Sequence, residues 1–244
     1  MIIIPARLNS SRFENKILVD ILGLPMVIRT AKAVSILDDV IIATDTQEVI
    51  ELAKKYNIKA VLTSTKHQSG TDRINEAVNI LNLDDNEVVV NVQADEPFIE
   101  PEVVQSVINR VKELKNREFT MVSCYKEISS EMADDPNHVK VICDDNDDAI
   151  YFSRSKIPYN RDHYNSTSYK GHLGIYGFTK KSLNKFCSYN SSMLEETEKL
   201  EQLRAISNSS KINMVQVKSN SFGIDTKEDL ANALKFFEKD LKNG

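Results

Sequence analysis

Arg7, Arg12 and Lys16 follow directly on an apolar opening, Ile2-Ile3-Ile4, and concentrate positive charge in one short polar loop. Charge-assisted hydrogen bonds from guanidinium and ammonium groups suit a polyanion such as a triphosphate. The loop holds no glycine, so neither G-x-G-x-x-G nor G-x-x-x-x-G-K-[ST] can be written on it. Any phosphate bound here is therefore gripped by side chains. A solvated basic loop is the plainer alternative.

Asp95 and Glu96 come next, in Val92-Gln93-Ala94-Asp95-Glu96-Pro97, just after the β-branched run Glu87 to Val92. In open α/β sheets ligands bind beyond the carboxyl ends of strands, which places Asp95 at the crevice. A carboxylate there suits Mg²⁺, which takes one or two acidic ligands together with phosphate oxygens and water. Acids that open a helix are the competing explanation, and it fits Glu96 better than Asp95.

His67-Gln68-Ser69-Gly70-Thr71-Asp72-Arg73 enters a helical pattern. Ser69 or Thr71 can cap that helix. The same segment offers a ligand the bare backbone of Gly70 and directional bonds from Ser69 and Arg73. His172-Leu173-Gly174-Ile175-Tyr176-Gly177 interleaves small and polar residues along a strand, where glycine often marks close backbone approach. His172 is there either a ligand contact or a satisfied core histidine. Glu201 and Arg204 stand three apart, on one face of a charged helix predicted over 195–207.

The elements that must hold these residues alternate through the first half. Strands are predicted at 40–43, 59–62 and 87–92, and helices at 47–56, 71–81 and 101–115, the last opened by Pro101. Such alternation predicts an α/β fold with a mainly parallel sheet and helices on both faces. From about residue 119 the pattern changes to strands at 120–125, 139–143, 149–152 and 173–178. The acidic turn Asp144 to Asp148 reads as a hairpin tip, because it lacks the glycine and closing glutamate of a calcium loop. Residues 157–170 read as a mobile loop, and a strand at 212–217 leads through Gly223-Ile224-Asp225 to a helix over 226–237. With no linker or repeat in view, the expected organisation is one domain, 1–244, carrying a sheet extension at about 119–190.

The 244 residues, 41% of them hydrophobic, suffice for a full core. A formal net charge of −5 argues against a general nucleic-acid binder. No apolar run approaches the roughly 20 residues of a membrane span. Cys124, Cys143 and Cys187 lie far apart and read as reduced thiols, which points to the cytoplasm rather than to a disulfide or zinc framework.

Taken in order, these pieces resemble a family. Ile-Pro-Ala-Arg-x-x-Ser-x-Arg-x-x-x-Lys at 4–16, the segments at 67–73 and 91–97, Tyr-Phe-Ser-Arg at 151–154, the segment at 172–177, Leu-Glu-Gln-Leu-Arg at 200–204 and Gly-Ile-Asp-Thr-x-Glu-Asp-Leu at 223–230 are similar to 3-deoxy-manno-octulosonate (Kdo) cytidylyltransferases. Two departures stand out. Glu14-Asn15 replaces the family's Pro-Gly, and Asn is the next-best residue for a left-handed turn. Ala94 replaces a glycine, which is tolerable only at negative φ.

The resemblance implies a Rossmann-like nucleotide-diphospho-sugar transferase fold and transfer of CMP from CTP to Kdo for lipopolysaccharide synthesis. It assigns Arg7, Arg12 and Lys16 to the triphosphate, and Asp95 and Asp225 to Mg²⁺. Ser69, Arg73 and Gln93 fall to cytidine. His172, Tyr176, Glu201 and Gln202 fall to the sugar acid, with Arg154 as a companion. A homodimer built from the extension is implied too. The alternatives are 8-amino-Kdo or sialic acid as substrate, or a non-catalytic nucleotide-sugar sensor.

Overall fold

The structure is a computed structural model that describes the chain except residues 9–12, 14, 68, 163, 165, 166, 222 and 244, and the side chains of 236–243. Arg12 and Glu14 therefore lie outside the described residues. The chain forms two compact units. The first comprises residues 1–82, 91–101 and 220–244, and the second residues 83–90 and 102–219.

In the first unit, β1 (Ile2–Ala6) is buried along its whole length, as its isoleucine run requires. After it come a short 3-10 turn (Lys16–Leu18) and the small hairpin of β2 (Asp20–Ile21) and β3 (Leu24–Pro25). Helix α1 (Met26–Val34), β4 (Val40–Thr44), α2 (Gln47–Lys55), β5 (Lys59–Leu62) and α3 (Gly70–Ile80) complete the alternation. β4 pairs parallel with both β1 and β5. Thr46 caps α2 by accepting from Val49 N–H, the bond a β-branched hydroxyl supplies at a helix start. The C-terminal helix (Lys227–Asn243) belongs to this unit and runs further than its sequence pattern predicts. Ile224 and Ala233 pack with Ile21 and Met26 in one buried cluster, with Phe98 and Leu230 against it.

The second unit begins with β6 (Val88–Asn91), whose last residue is already part of the first, and α4 (Pro101–Leu114). β7 (Met121–Ile128), α5 (Ser130–Asp134), the hairpin β8 (Lys140–Cys143) and β9 (Ala149–Ser153), and β10 (Tyr169–Thr179) follow. Then come α6 (Lys180–Cys187), α7 (Met193–Glu198), α8 (Leu203–Ser207) and β11 (Asn213–Gln216). β7 sits between β10, antiparallel, and β11, parallel. Gly177 is required here: a Cβ would lie 2.5 Å from Val111 Cγ2 and 2.8 Å from Val107 Cγ1 on α4.

One predicted element is corrected. The single helix over 195–207 is two short helices, because Lys199 turns left-handed at φ 53° and ends α7. The break lets Leu200 and Gln202 turn inward, leaving them 6% and 2% exposed. Arg204 reaches back to Glu195, with Nη2 and Nε donating to its two carboxylate oxygens at 2.6 and 2.9 Å.

Candidate active site

In the first unit, Lys16 is the centre. Its Nζ donates to Asp95 Oδ2 at 2.7 Å and to Asp225 Oδ1 at 2.9 Å, with the lysine residue 8% exposed. Burial alone would push this ammonium's pKa down. The Asp95 charge and the hydrogen bonds the ammonium donates to both carboxylates outweigh it, and the pKa is raised above the ordinary 10.5. Asn15 makes the turn into Lys16 possible by adopting φ 51°, ψ 29°, as expected of asparagine in the family's Pro-Gly place.

The two carboxylates come from opposite ends of the chain, and the backbone registers them. Ile224 N–H donates to Asp95 O at 2.9 Å. Asp229 Oδ2 accepts from the amides of Asp225 and Thr226, and Thr226 Oγ1 accepts from Asp229 N–H, a reciprocal cap on the C-terminal helix. Ser221 Oγ donates to Glu96 Oε2, which ties the same segment down again. Ala94 stays out of the positive-φ region, and its carbonyl accepts from Thr30 Oγ1, so its methyl is accommodated.

Arg7 is exposed just after β1. Ser69 caps α3, accepting from Asp72 N–H and donating to Asp72 Oδ2 at 2.9 Å. Gly70 is needed where α3 meets β1, since a Cβ would stand 3.0 Å from Pro5 Cγ; the close approach it serves is to protein. Gln93 donates to Asn91 Oδ1 and lies beside that same helix start. Arg73, 3% exposed, donates through Nη1 to Thr63 Oγ1 and Ser64 O and through Nη2 to Asp45 Oδ2 at 2.8 Å. His67 bonds Glu76, whose carboxylate also accepts from Ser64 N–H.

In the second unit, His172, Tyr176 and Glu201 come together. The rings of His172 and Tyr176 are 5.6 Å apart, and Phe152 stands edge-on to His172 at 4.9 Å. Burial pushes the His172 imidazole down to about 3, so it is neutral at physiological pH. Burial, then the Glu201 charge, raises the Tyr176 phenol well above 10. Gln202 is buried and its Nε2 has no hydrogen-bond partner, a polar donor left for something else to satisfy. Arg154 is not turned to this group. Its guanidinium donates to the carbonyls of Glu198, Lys199 and Pro136, which holds the break after α7.

Sequence reasoning missed Ser123, whose Oγ lies 2.8 Å from His172 Nε2 and within reach of Leu173 O and Ile175 O. It missed Asp45 and Thr63, which engage Arg73, and Asp229. Only Asp229 had a signal, in the Thr226-x-x-Asp229 spacing of a cap.

An α/β chain that gathers two acidic side chains around a lysine at the ends of its strands has the build of a nucleotidyltransferase. A family model described as Cytidylyltransferase matches residues 1–212. The chain is 52% identical, over 97% of its length and 99% of the relative's, to the 3-deoxy-manno-octulosonate cytidylyltransferase of Wolinella succinogenes. It is 51% identical, over 99% of both chains, to the enzyme of the same name from Helicobacter pylori strain G27. A solved CMP:2-keto-3-deoxy-manno-octonic acid synthetase complexed with CTP superposes with a TM-score of 0.90 at 33% identity, covering 98% of each chain. A 4-diphosphocytidyl-2C-methyl-D-erythritol synthase from Anaerococcus prevotii, 18% identical over 97% of this chain and 98% of its own, shares the fold at a TM-score of 0.61. The chain belongs to the 3-deoxy-manno-octulosonate cytidylyltransferase family. Its α/β fold with a mainly parallel sheet is the one expected from the sequence. Among the described residues no helix is long and apolar enough to cross a membrane.

Proposed function

We propose that the chain activates Kdo, transferring CMP from CTP to its anomeric hydroxyl. The anomeric oxygen forms a bond to the α-phosphorus, the bond from that phosphorus to the bridging oxygen breaks, and pyrophosphate leaves. The hydroxyl proton passes to solvent as the new ester forms. The observation that carries this reading is Lys16 holding Asp95 and Asp225 on one ammonium group.

That pair fits Mg²⁺ by donor chemistry. Both are hard carboxylate ligands converging on one point, and Mg²⁺ needs no more than one or two of them beside phosphate oxygens and water. Among the described residues no group of three or more His, Cys, Asp or Glu forms a richer site. Bound there, Mg²⁺ would supply Lewis-acid stabilisation and lower the pKa of the attacking hydroxyl.

Lys16 keeps positive charge beside the two carboxylates, where developing negative charge on the leaving group is best stabilised. Arg7 and Arg12 are assigned to the triphosphate. Ser69 and Gln93 are assigned to cytidine, while the bonds of Arg73 support a role in shaping that loop. His172, Tyr176, Glu201 and Gln202 are assigned to the sugar acid, supported by the unmatched Gln202 amide. A homodimer, the cytoplasm and lipopolysaccharide synthesis complete the reading.

The test is pyrophosphate release across four nucleotides and several 2-keto sugar acids, including 8-amino-Kdo and sialic acid, with and without Mg²⁺. Release with CTP and Kdo is expected. Equal or greater turnover with another sugar acid would overturn the substrate, and no release with any would favour a sensor.

A further inference from the structure

Ser123 lies in the middle of β7 and is fully buried. Three groups converge on its hydroxyl: His172 Nε2 at 2.8 Å, Ile175 O at 2.8 Å and Leu173 O at 3.2 Å. The two carbonyls come from the place where the β10–β7 register slips between Leu173 and Tyr176, so the backbone bulges around this one oxygen.

A serine hydroxyl has one proton and two lone pairs, and a carbonyl can only accept. If the proton went to Nε2, the Ser123 oxygen would face both carbonyls without a hydrogen between them, leaving Ile175 O without this donor at 2.8 Å. Such buried mismatches are costly. If the proton goes to Ile175 O, a Ser123 lone pair is free to accept from Nε2–H, so both 2.8 Å contacts are attractive and only Leu173 O, at the longer 3.2 Å, is left without this donor. The second arrangement is the one the geometry satisfies.

We infer that Ser123 is a positioning residue that fixes His172 as the Nε2–H tautomer, so that its bare Nδ1 accepts a hydrogen bond from a hydroxyl of the bound sugar acid. The inference rests on the Kdo reading for the identity of that ligand. The tautomer itself rests on the hydrogen-bond count alone. Nδ1 is not among the buried atoms left without a partner, and among the described residues no group donates to it, so it remains available to a donor from outside. A neutral imidazole of this kind cannot form an ion pair with the substrate carboxylate. It selects for a hydroxyl instead, and an analogue lacking that hydroxyl leaves Nδ1 unmatched.

The experiment is long-range ¹H–¹⁵N correlation of the full-length protein labelled at histidine, with His172→Asn to assign the signal. The wild type should show His172 neutral, protonated at Nε2 and bare at Nδ1. Ser123→Ala should shift or mix the tautomers and raise KM for Kdo roughly tenfold, the scale of one neutral hydrogen bond, with kcat and CTP affinity little changed. Ser123→Thr, which keeps the hydroxyl, should restore both. A wild-type spectrum with Nδ1 protonated, or a cationic ring, would overturn the inference whatever the variants do. The expected tautomer with an unchanged KM in Ser123→Ala would overturn the recognition role. If Kdo is not a substrate at all, that half falls with the Kdo reading, and the spectrum still decides the tautomer.

Discussion

Lys16 and Asp95, separated by 79 positions in the chain, meet at 2.7 Å, and the contact sits where the lysine is nearly enclosed while the carboxylate keeps some access to solvent. An enclosed cation against a carboxylate that solvent still reaches is an arrangement from which the acid can be handed to another cation. Asp225 completes it at 2.9 Å.

Asp95→Asn should preserve the fold, since Asp95 is not part of the apolar core, yet lower kcat by at least about a hundredfold, the scale of one preorganised electrostatic contact. Steady-state pyrophosphate release at saturating Mg²⁺, beside a thermal melt, checks it. Near-normal turnover would remove Asp95 from the metal site.

Lys16→Ala should slow the chemical step more than it weakens CTP binding, because charge on the pyrophosphate grows as the bond breaks. Single-turnover kinetics separate the two. Lys16 also leaves a signature in alkali. Its pKa is raised on folding, so its contribution to stability is full below the ordinary lysine value of 10.5 and is lost as pH rises through the higher folded value. Wild-type melting temperature should fall in that window, and Lys16→Met should lack that component of the fall.

Arg73→Met should act on stability. Removing the guanidinium leaves Asp45 without its cation and Thr63 without its donor, a loss of about 3 kcal/mol for a buried pair broken on one side. Denaturant titration gives the number. A variant of wild-type stability that has lost CTP affinity would instead return Arg73 to the cytidine pocket.

His172→Ala and Gln202→Ala should bind CTP normally by isothermal titration while losing Kdo-dependent pyrophosphate release. Equal loss of CTP affinity would place them with the nucleotide. His172 carries a pH signature of its own. With a folded pKa near 3 against an ordinary 6.5, the unfolded chain takes up the proton first, so stability declines as pH falls from about 6.5 towards 3. His172→Ala should flatten that part of the acid melting curve.

Much of the first unit is legible from residue order. The isoleucine run is β1, the capped pattern after Thr46 is α2, and the asparagine before Lys16 takes the left-handed turn. Helix α1 is harder to read, because Pro25 precedes it and no side chain caps its first turn. Lys199 is illegible for another reason: a lysine carries no signal for positive φ, and burial of Leu200 and Gln202 after it decides the break. The site divides in the same way. Asp95 and Asp225 are marked by where their strands and turns end. Partners such as Ser123 for His172, or Glu195 for Arg204, are set by tertiary register that local spacing does not carry.

The bond from Ile224 N–H to Asp95 O bears on the order in which the molecule is made. The unit that holds Lys16 and Asp95 is stitched from three stretches, and the last begins at residue 220. A nascent chain leaving the ribosome therefore carries Lys16 and Asp95 long before their second acid exists. Loop closure over that span has to wait for the final stretch to emerge. Unfinished chains are thus silent: a product cut short before residue 225 retains most of its strands but not the acid pair.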